Sequence, residues 1–272
     1  MHALDRLKVE VFADGADLRS MLQLSRCPQI KGFTTNPSLL KKAGISDYQA
    51  FGRAVLPNIP NLPVSFEVLS DGFEQMKEEA LQIAAWGRNV YVKIPVMNSH
   101  GESTRGVLRS LAAQGVKLNV TALLTMSQIY ATAEALERSP AAFISVFAGR
   151  IADTGRDPVP LMSKALEILS PYPQLKLIWA SPREVLNIVQ ADAIGCHIIT
   201  VTNELLNKVE LFGKDLHEYS LETVRMFSTD ARSAGLKLDS GQSHPSSRKA
   251  VTALQAALLS AEHEVSVTGS RS

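Results

Sequence analysis

The residue whose type and setting could do the most chemistry is Lys93, which stands in the run VYVKIPV with apolar neighbours on both sides. Burial in such a run disfavours the charged ammonium and favours a neutral amine that can attack a carbonyl carbon. Taken singly, the same lysine also fits a side chain snorkelling from a strand end, or one paired with an acid. Pro95 removes a ladder donor two positions later, so the strand ends there and Lys93 stands near its C-terminal end. Asp14 and Glu67 close two other apolar runs, VEVFAD and PVSFEV. Two carboxylates near an amine are what proton transfer to substrate hydroxyls and to a carbinolamine requires. Asp14 alone would serve equally as a turn or N-cap residue before GADLRSML. Glu67 shares strand parity with Ser65, and Asn119 shares it with Thr121, a pair suited to holding a water or orienting the lysine. Asn36 and Ser145 interrupt GFTTN and FISVFAG in the same manner. A buried polar group without a partner costs on the order of 1 to 3 kcal/mol, so these interruptions are expected to form one connected cluster.

An anionic ligand would need locally placed arginines, because 28 basic and 27 acidic residues leave a net charge of only +1. Arg150 follows FISVFAG, and Arg183 follows KLIWAS within the segment ASPR. The pattern puts Ser181 at the N-cap of a helix PREVLNIVQ with Pro182 at N1. Backbone N–H groups and the helix dipole would then face an anion, with Arg183 adding a bidentate grip. A capped helix beside a surface arginine is the plainer alternative. The near-neutral charge gives no nucleic-acid or membrane footprint. The charged start MHALDRLKVEVF and the lack of a long apolar run predict a cytoplasmic protein. The two cysteines, Cys27 and Cys196, have no ligand-like spacing, so neither a metal site nor a disulfide is expected.

The elements that must position these residues recur evenly. Apolar runs rich in Val, Ile and Phe lie at 9–14, 32–36, 63–68, 90–96, 117–123, 143–149, 176–181 and 197–202, separated by helix-period segments such as DGFEQMKEEALQIAAWG and SQIYATAEALERS. Strand alternating with helix means parallel pairing through right-handed crossovers. Eight such units predict a closed (β/α)8 TIM barrel, whose sites are built at the C-terminal ends of the strands, where the polar residues above lie. An open doubly wound sheet has the same periodicity, but no GxGxxG follows the first strand. One domain is expected over 1–239. It includes a further helix, HEYSLETVRMFSTDARSAG, that closes over the barrel or docks on a neighbouring subunit. From residue 240 the composition turns to Ser, Gly, Gln, His and Pro, which predicts a poorly ordered tail in which VTALQAALLSAE could form a short helix.

Several strings, in order, resemble the transaldolase family. GFTTNPSLL resembles its TTNPS signature and VYVKIPV its Schiff-base lysine strand, while LNVTALLT, ISVFAGR and WASPR resemble its fifth, sixth and seventh strand motifs. The resemblance runs from about Val9 to Leu206, with the spacing of the smaller members, which include fructose-6-phosphate aldolases. It implies a class I, Schiff-base aldolase barrel that uses no metal and no cofactor and acts on sugar phosphates, as in the pentose phosphate pathway. In that scheme Lys93 attacks the C2 ketone of a ketose phosphate and Asp14 takes the C4 hydroxyl proton, while Glu67 and Thr121 hold a proton-shuttling water. Asn36 and Asn119 bind the dihydroxyacetone unit with Ser145 close by, and Arg150, Ser181 and Arg183 bind the phosphate. Glu67, Asn119 and Phe147 are similar to the family's transferases, whereas its aldolases tend to carry Gln at the first position and Tyr at the last. The resemblance therefore implies a transaldolase, in a family where homo-oligomers are common. Departures fall at Phe33, Met97, Ala152 and in TVTNELL, and none removes a proposed catalytic group. The alternatives are a lyase releasing free dihydroxyacetone and a non-catalytic sugar-phosphate-binding barrel. Barrels for flavin or pyridoxal phosphate fit the fold but give the lysine strand no role.

Overall fold

The structure is a computed structural model that describes residues 2–238. Eight parallel strands close into a barrel in sequence order, with β8 pairing back onto β1. They are β1 (Glu10–Asp14), β2 (Ile30–Thr34), β3 (Val64–Glu67), β4 (Val90–Pro95), β5 (Leu118–Leu123), β6 (Ala142–Val146), β7 (Leu175–Trp179) and β8 (Ile198–Thr202). Helices α1 (Leu18–Leu24), α2 (Pro37–Lys42), α3 (Tyr48–Val55), α4 (Phe73–Ala84), α5 (Arg105–Ala113) and α6 (Met126–Ala135) connect the first half. Then come α7 (Ala148–Ala152), α8 (Pro158–Leu169), α9 (Leu186–Ala193), α10 (Asn203–Lys208) and α11 (Leu216–Ser233). The closed order excludes the open doubly wound sheet.

The strands are buried nearly throughout, as a parallel sheet covered on both faces requires. Their outward residues join the helices in one core that includes Val11, Phe33, Val64, Phe66, Val92, Leu118, Val120, Leu177 and Ile199. A second, separate cluster of Phe12, Phe143, Ile178, Ala180 and Ile198, with Tyr91 and Phe147 against it, fills the barrel interior. A Cβ on Gly32 would meet the Phe12 ring at 2.6 Å, so β2 must carry glycine there to admit it. Because side chains alternate along a strand, the residue two positions after each interior aromatic or aliphatic also points inward. That rule puts Asp14, Lys93, Ser145 and Thr200 on the interior wall above a hydrophobic floor, and Thr34, whose side chain bonds Asp14, stands beside them.

Three strands differ from the sequence expectation by two residues or more at a boundary. β2 starts at Ile30, after a turn in which Ile30 N–H bonds the Cys27 carbonyl, and stops at Thr34 because Asn36 leaves the strand to cap α2. The run 143–149 is β6 plus the start of α7, not one strand. The run 176–181 ends as a strand at Trp179, and Ser181 then takes φ +59.

The chain divides into two compact units at Phe212 and Gly213. In the second, α11 is capped by Asp215, whose side chain accepts from Glu218 N–H, and buries no residue of its own. Leu216, Tyr219, Val224, Met226 and Phe227 are exposed along it. The tail expected from residue 240, with VTALQAALLSAE, lies outside the described residues.

Candidate active site

Lys93 is only 6% exposed, although a polar amine group stands at its tip. Two oxygens receive it. Glu67 Oε2, on the strand that registers Glu67 against Lys93, lies 3.1 Å from Nζ, and the Thr35 carbonyl accepts from Nζ at 3.1 Å. Lys93 is thus paired with an acid, and that acid is the carboxylate singled out from the sequence. Glu67 is itself anchored through its backbone, whose carbonyl accepts from Tyr48 Oη at 3.1 Å. Tyr48 packs edge-to-face on Phe66 and Trp86, and burial raises its phenol well above the ordinary tyrosine range.

Asp14 is not the cap of α1, a task that Asp17 performs by accepting from Ser20 N–H. Its carboxylate is left for the interior, where Oδ1 accepts from Thr34 Oγ1 at 2.7 Å. Burial pushes the Asp14 carboxyl above its ordinary value, and the charge of Lys93 and the Thr34 hydroxyl partly hold it back.

Asn119, registered with Lys93, is locked between two serines. Its Nδ2 donates to Ser65 Oγ at 2.9 Å, and its Oδ1 accepts from Ser145 Oγ at 2.7 Å. All three are buried and form one polar group; Lys93 with Glu67 and Asp14 with Thr34 form two others, so the side-chain bonds make three groups where the sequence predicts one connected cluster. Thr121 Oγ1 is buried with no hydrogen-bond partner among the described residues. It precedes Ala122, held at φ +62 where the β5–β6 register shifts. A non-glycine residue in that region is strained, and such strain concentrates where a side chain must be aimed. Asn36 spends its Oδ1 on capping α2, through Leu39 N–H at 3.0 Å, which leaves its amide donors for a ligand.

The phosphate candidates gather around α7. The Arg150 guanidinium lies 5.4 Å over the Phe147 ring. A Cβ on Gly149 would meet the Ser181 carbonyl oxygen at 1.5 Å and Arg183 Cγ at 3.4 Å, so the ISVFAGR and ASPR segments are in direct contact. The expected N-cap role of Ser181 is wrong. With φ +59 it cannot start a helix, α9 begins only at Leu186, and the N–H groups of Arg183 and Glu184 go to Asn187 Oδ1 at 2.8 and 3.2 Å. Those two N–H groups belong to the turn before the helix and are already occupied, and α9, which starts after Val185, has no side-chain cap. Arg183 makes a bidentate pair with Asp153 through Nε, at 3.0 Å, and Nη2.

Sequence reasoning missed Thr34, Thr200, Thr35, Tyr48 and Asp153. Strand parity with Asp14 and Lys93 could have found the first two, since Thr34 and Thr200 are buried and share the interior face.

Among the described residues no group of three or more His, Cys, Asp or Glu could hold a metal ion, and no helix is long and apolar enough to cross a membrane. Both cysteines are free, and burial pushes the Cys196 thiol up to about 12.

A proteins' family model described as Transaldolase/Fructose-6-phosphate aldolase matches residues 11–244. A "Probable transaldolase" of Dehalococcoides mccartyi is 32% identical over 73% of this chain and 88% of its own length. One from a Thermoanaerobacter species is 31% identical over 85% and 100%, and one from Nitrosopumilus maritimus is 32% identical over 74% and 87%. Among solved structures, a mandelate oxidase variant with an FMN adduct superposes with a TM-score of 0.51 at 10% identity, covering 74% of each chain. That likeness concerns the barrel alone. With a family match spanning most of the barrel and relatives above 30% identity over most of both chains, the chain belongs to the transaldolase/fructose-6-phosphate aldolase family.

Proposed function

We propose that the protein is a transaldolase, transferring a dihydroxyacetone unit from a ketose phosphate to an aldose phosphate through a Schiff base on Lys93. The observation that carries this reading is the buried Lys93 Nζ, 3.1 Å from Glu67 Oε2, on an interior wall that also holds Asp14 and the unpartnered Thr121 hydroxyl. Lys93, as the neutral amine, adds to the C2 carbonyl. Glu67 and Thr121 hold the water through which the carbinolamine gains a proton and loses its hydroxyl as water. Asp14 takes the C4 hydroxyl proton, the C3–C4 bond breaks, and its electron pair passes into the iminium to leave an enamine on Lys93. Asn36, Asn119 and Ser145 bind the hydroxyls of the retained unit beside Phe147. Arg150, Ser181 and Arg183 hold the phosphate. The enamine then adds to an acceptor aldehyde, and hydrolysis frees Lys93.

Glu67 and Phe147 favour transfer over release of free dihydroxyacetone, because they match the transferase pattern at the two positions where the branches differ. Incubation with fructose 6-phosphate and borohydride, followed by peptide mapping, tests the chemistry. A reduced adduct on Lys93 that is absent from Lys93→Met is expected. Met fills a similar volume, so the fold survives, at a cost on the order of 3 kcal/mol for leaving Glu67 unpaired. No adduct with any ketose phosphate would remove the mechanism. Cleavage that requires an acceptor aldehyde supports transfer, and cleavage without one supports the lyase.

The exposed apolar residues of α11 support a homo-oligomer in which that helix packs against a second copy. A monomeric mass in solution at micromolar concentration would count against it. A cytoplasmic location is part of the same proposal, supported by two free cysteines and a phosphorylated substrate class. Recovery outside the cytosolic fraction would oppose it.

A further inference from the structure

Thr34 and Thr200 are buried threonines on the interior wall to which the proposed chemistry assigns no task. Thr34 on β2 registers with Asp14, and Thr200 on β8 registers with Phe12, two residues below Asp14 on the same strand. Thr34 Oγ1 lies 2.7 Å from Asp14 Oδ1 and also contacts Thr200 Oγ1.

A hydroxyl owns one proton and two acceptor sites, and an ionised carboxylate only accepts. With Asp14 ionised, Thr34 must therefore spend its proton on Asp14, and Thr200 must supply the proton for the Thr34–Thr200 contact. The chain then runs Thr200 to Thr34 to Asp14. With Asp14 protonated, both hydroxyls can turn, and the same contacts run in reverse. We propose that Thr200 and Thr34 form a hydroxyl relay that orients Asp14 and stabilises its carboxylate, serving as positioning residues for the proton it takes from substrate. This rests on Asp14 being the base of bond cleavage.

The relay works against burial, and hydrogen bonds to the charged form, polarised along a chain, favour that form. Other charged groups also face Asp14. Lys93 on β4, paired with Glu67 on β3, acts across the interior. Asp17 beside α1, Lys42 on α2 and Glu204 on α10 line a cavity of 390 Å³ that also includes Asp14 and Thr202. Among the described residues only Thr34 donates a side-chain hydrogen bond to Asp14.

The test is the titration of Asp14 in full-length protein carrying carboxyl-13C aspartate, assigned with Asp14→Asn, together with the pH dependence of kcat/KM for fructose 6-phosphate cleavage. Thr34→Val and Thr200→Val are expected to move the titration and the acid limb of the rate profile to higher pH, Thr34→Val the further. On the acid side kcat/KM falls about tenfold, the scale of one hydrogen bond to a charged group, while KM changes little. Thr34→Ser and Thr200→Ser restore both readouts, and the Ala versions replace any Val variant that fails to fold. Titrations that superimpose on the parent in both Val variants overturn the relay, as does a shift in Thr200→Val without one in Thr34→Val. A shifted titration in a protein that forms no adduct on Lys93 keeps the relay and removes the catalytic reading.

Discussion

Arg183 shows how one side chain is prepared by another. Two of its donors, on Nε and Nη2, are fixed by the Asp153 carboxylate, which sets the plane of the guanidinium and leaves Nη1 for an anion. Both side chains are about half exposed, so the pair contributes roughly 0 to 1 kcal/mol to stability and its importance lies in aim. Arg183→Ala is expected to raise KM for phosphorylated substrates about tenfold and to leave unphosphorylated sugars unchanged. Asp153→Asn should raise the same KM about threefold with kcat and Tm unaltered, because the fork is retained but freed to swing. A lower KM in Asp153→Asn would mean that the carboxylate competes with phosphate instead of aiming its partner. Lys93, Asp14, Glu67 and Asn119 were legible in the sequence because charge or amide in an apolar run is conspicuous, and Ser145 because a small hydroxyl interrupts FISVFAG. Thr34 and Thr200 were not, since threonine is an ordinary strand residue and its task depends on which strands become neighbours. Ser181 was misread because Ser-Pro-Arg before an apolar period imitates a capped helix start, and a positive φ at serine leaves no mark in composition.

Strand and helix periods reported the barrel and all eight strands, but not where α7 interrupts the run 143–149, because a five-residue helix has too few residues to display a period. What fixes α7 is contact with the turn after β7, made at Gly149. A Cβ there would lie 1.5 Å from the Ser181 carbonyl oxygen, a backbone atom that cannot move without carrying Pro182 and Arg183 with it. Gly149→Ala is therefore expected to cost about 1 to 3 kcal/mol, as overpacking does, and to raise KM for phosphorylated substrates as Arg150 and Arg183 separate. Gly106→Ala is the control, since a Cβ on Gly106 meets nothing within 4 Å and lies in helix α5, where alanine is the better helix former. If thermal unfolding and KM respond alike in the two variants, the close approach at Gly149 is not what holds the phosphate-side segments together.

Two seams of the closed barrel register by only two residue pairs each, β2 with β3 and β7 with β8, the latter through Ile178 with Ile198 and Trp179 with Ile199. Side chains extend that seam toward the barrel's N-terminal end. His197 Nδ1 accepts from Leu177 N–H at 3.0 Å, and Cys196 Sγ donates to the Leu177 carbonyl at 3.6 Å. An accepting Nδ1 requires the neutral imidazole with its proton on Nε2, so protonation of His197 breaks the seam's added bond. Burial, and then the nearby Lys176 charge, push His197 below its ordinary value, with Glu10 opposing them. The sign follows from proton uptake. Below about pH 6.5, the unfolded-state value, the unfolded chain binds a proton that the folded chain refuses, so stability falls as pH drops through that value toward the lowered folded one. Asp14 acts oppositely, because its raised folded value makes the folded chain the better proton binder above the ordinary carboxylate range, and its contribution is lost as pH rises through the folded value. His197→Gln keeps an acceptor for Leu177 N–H but cannot titrate. Its Tm is expected to match the parent at pH 8 and to decline less between pH 6.5 and 5, where the parent loses the seam bond. Parallel Tm curves over that range would show that closure of the barrel does not depend on His197.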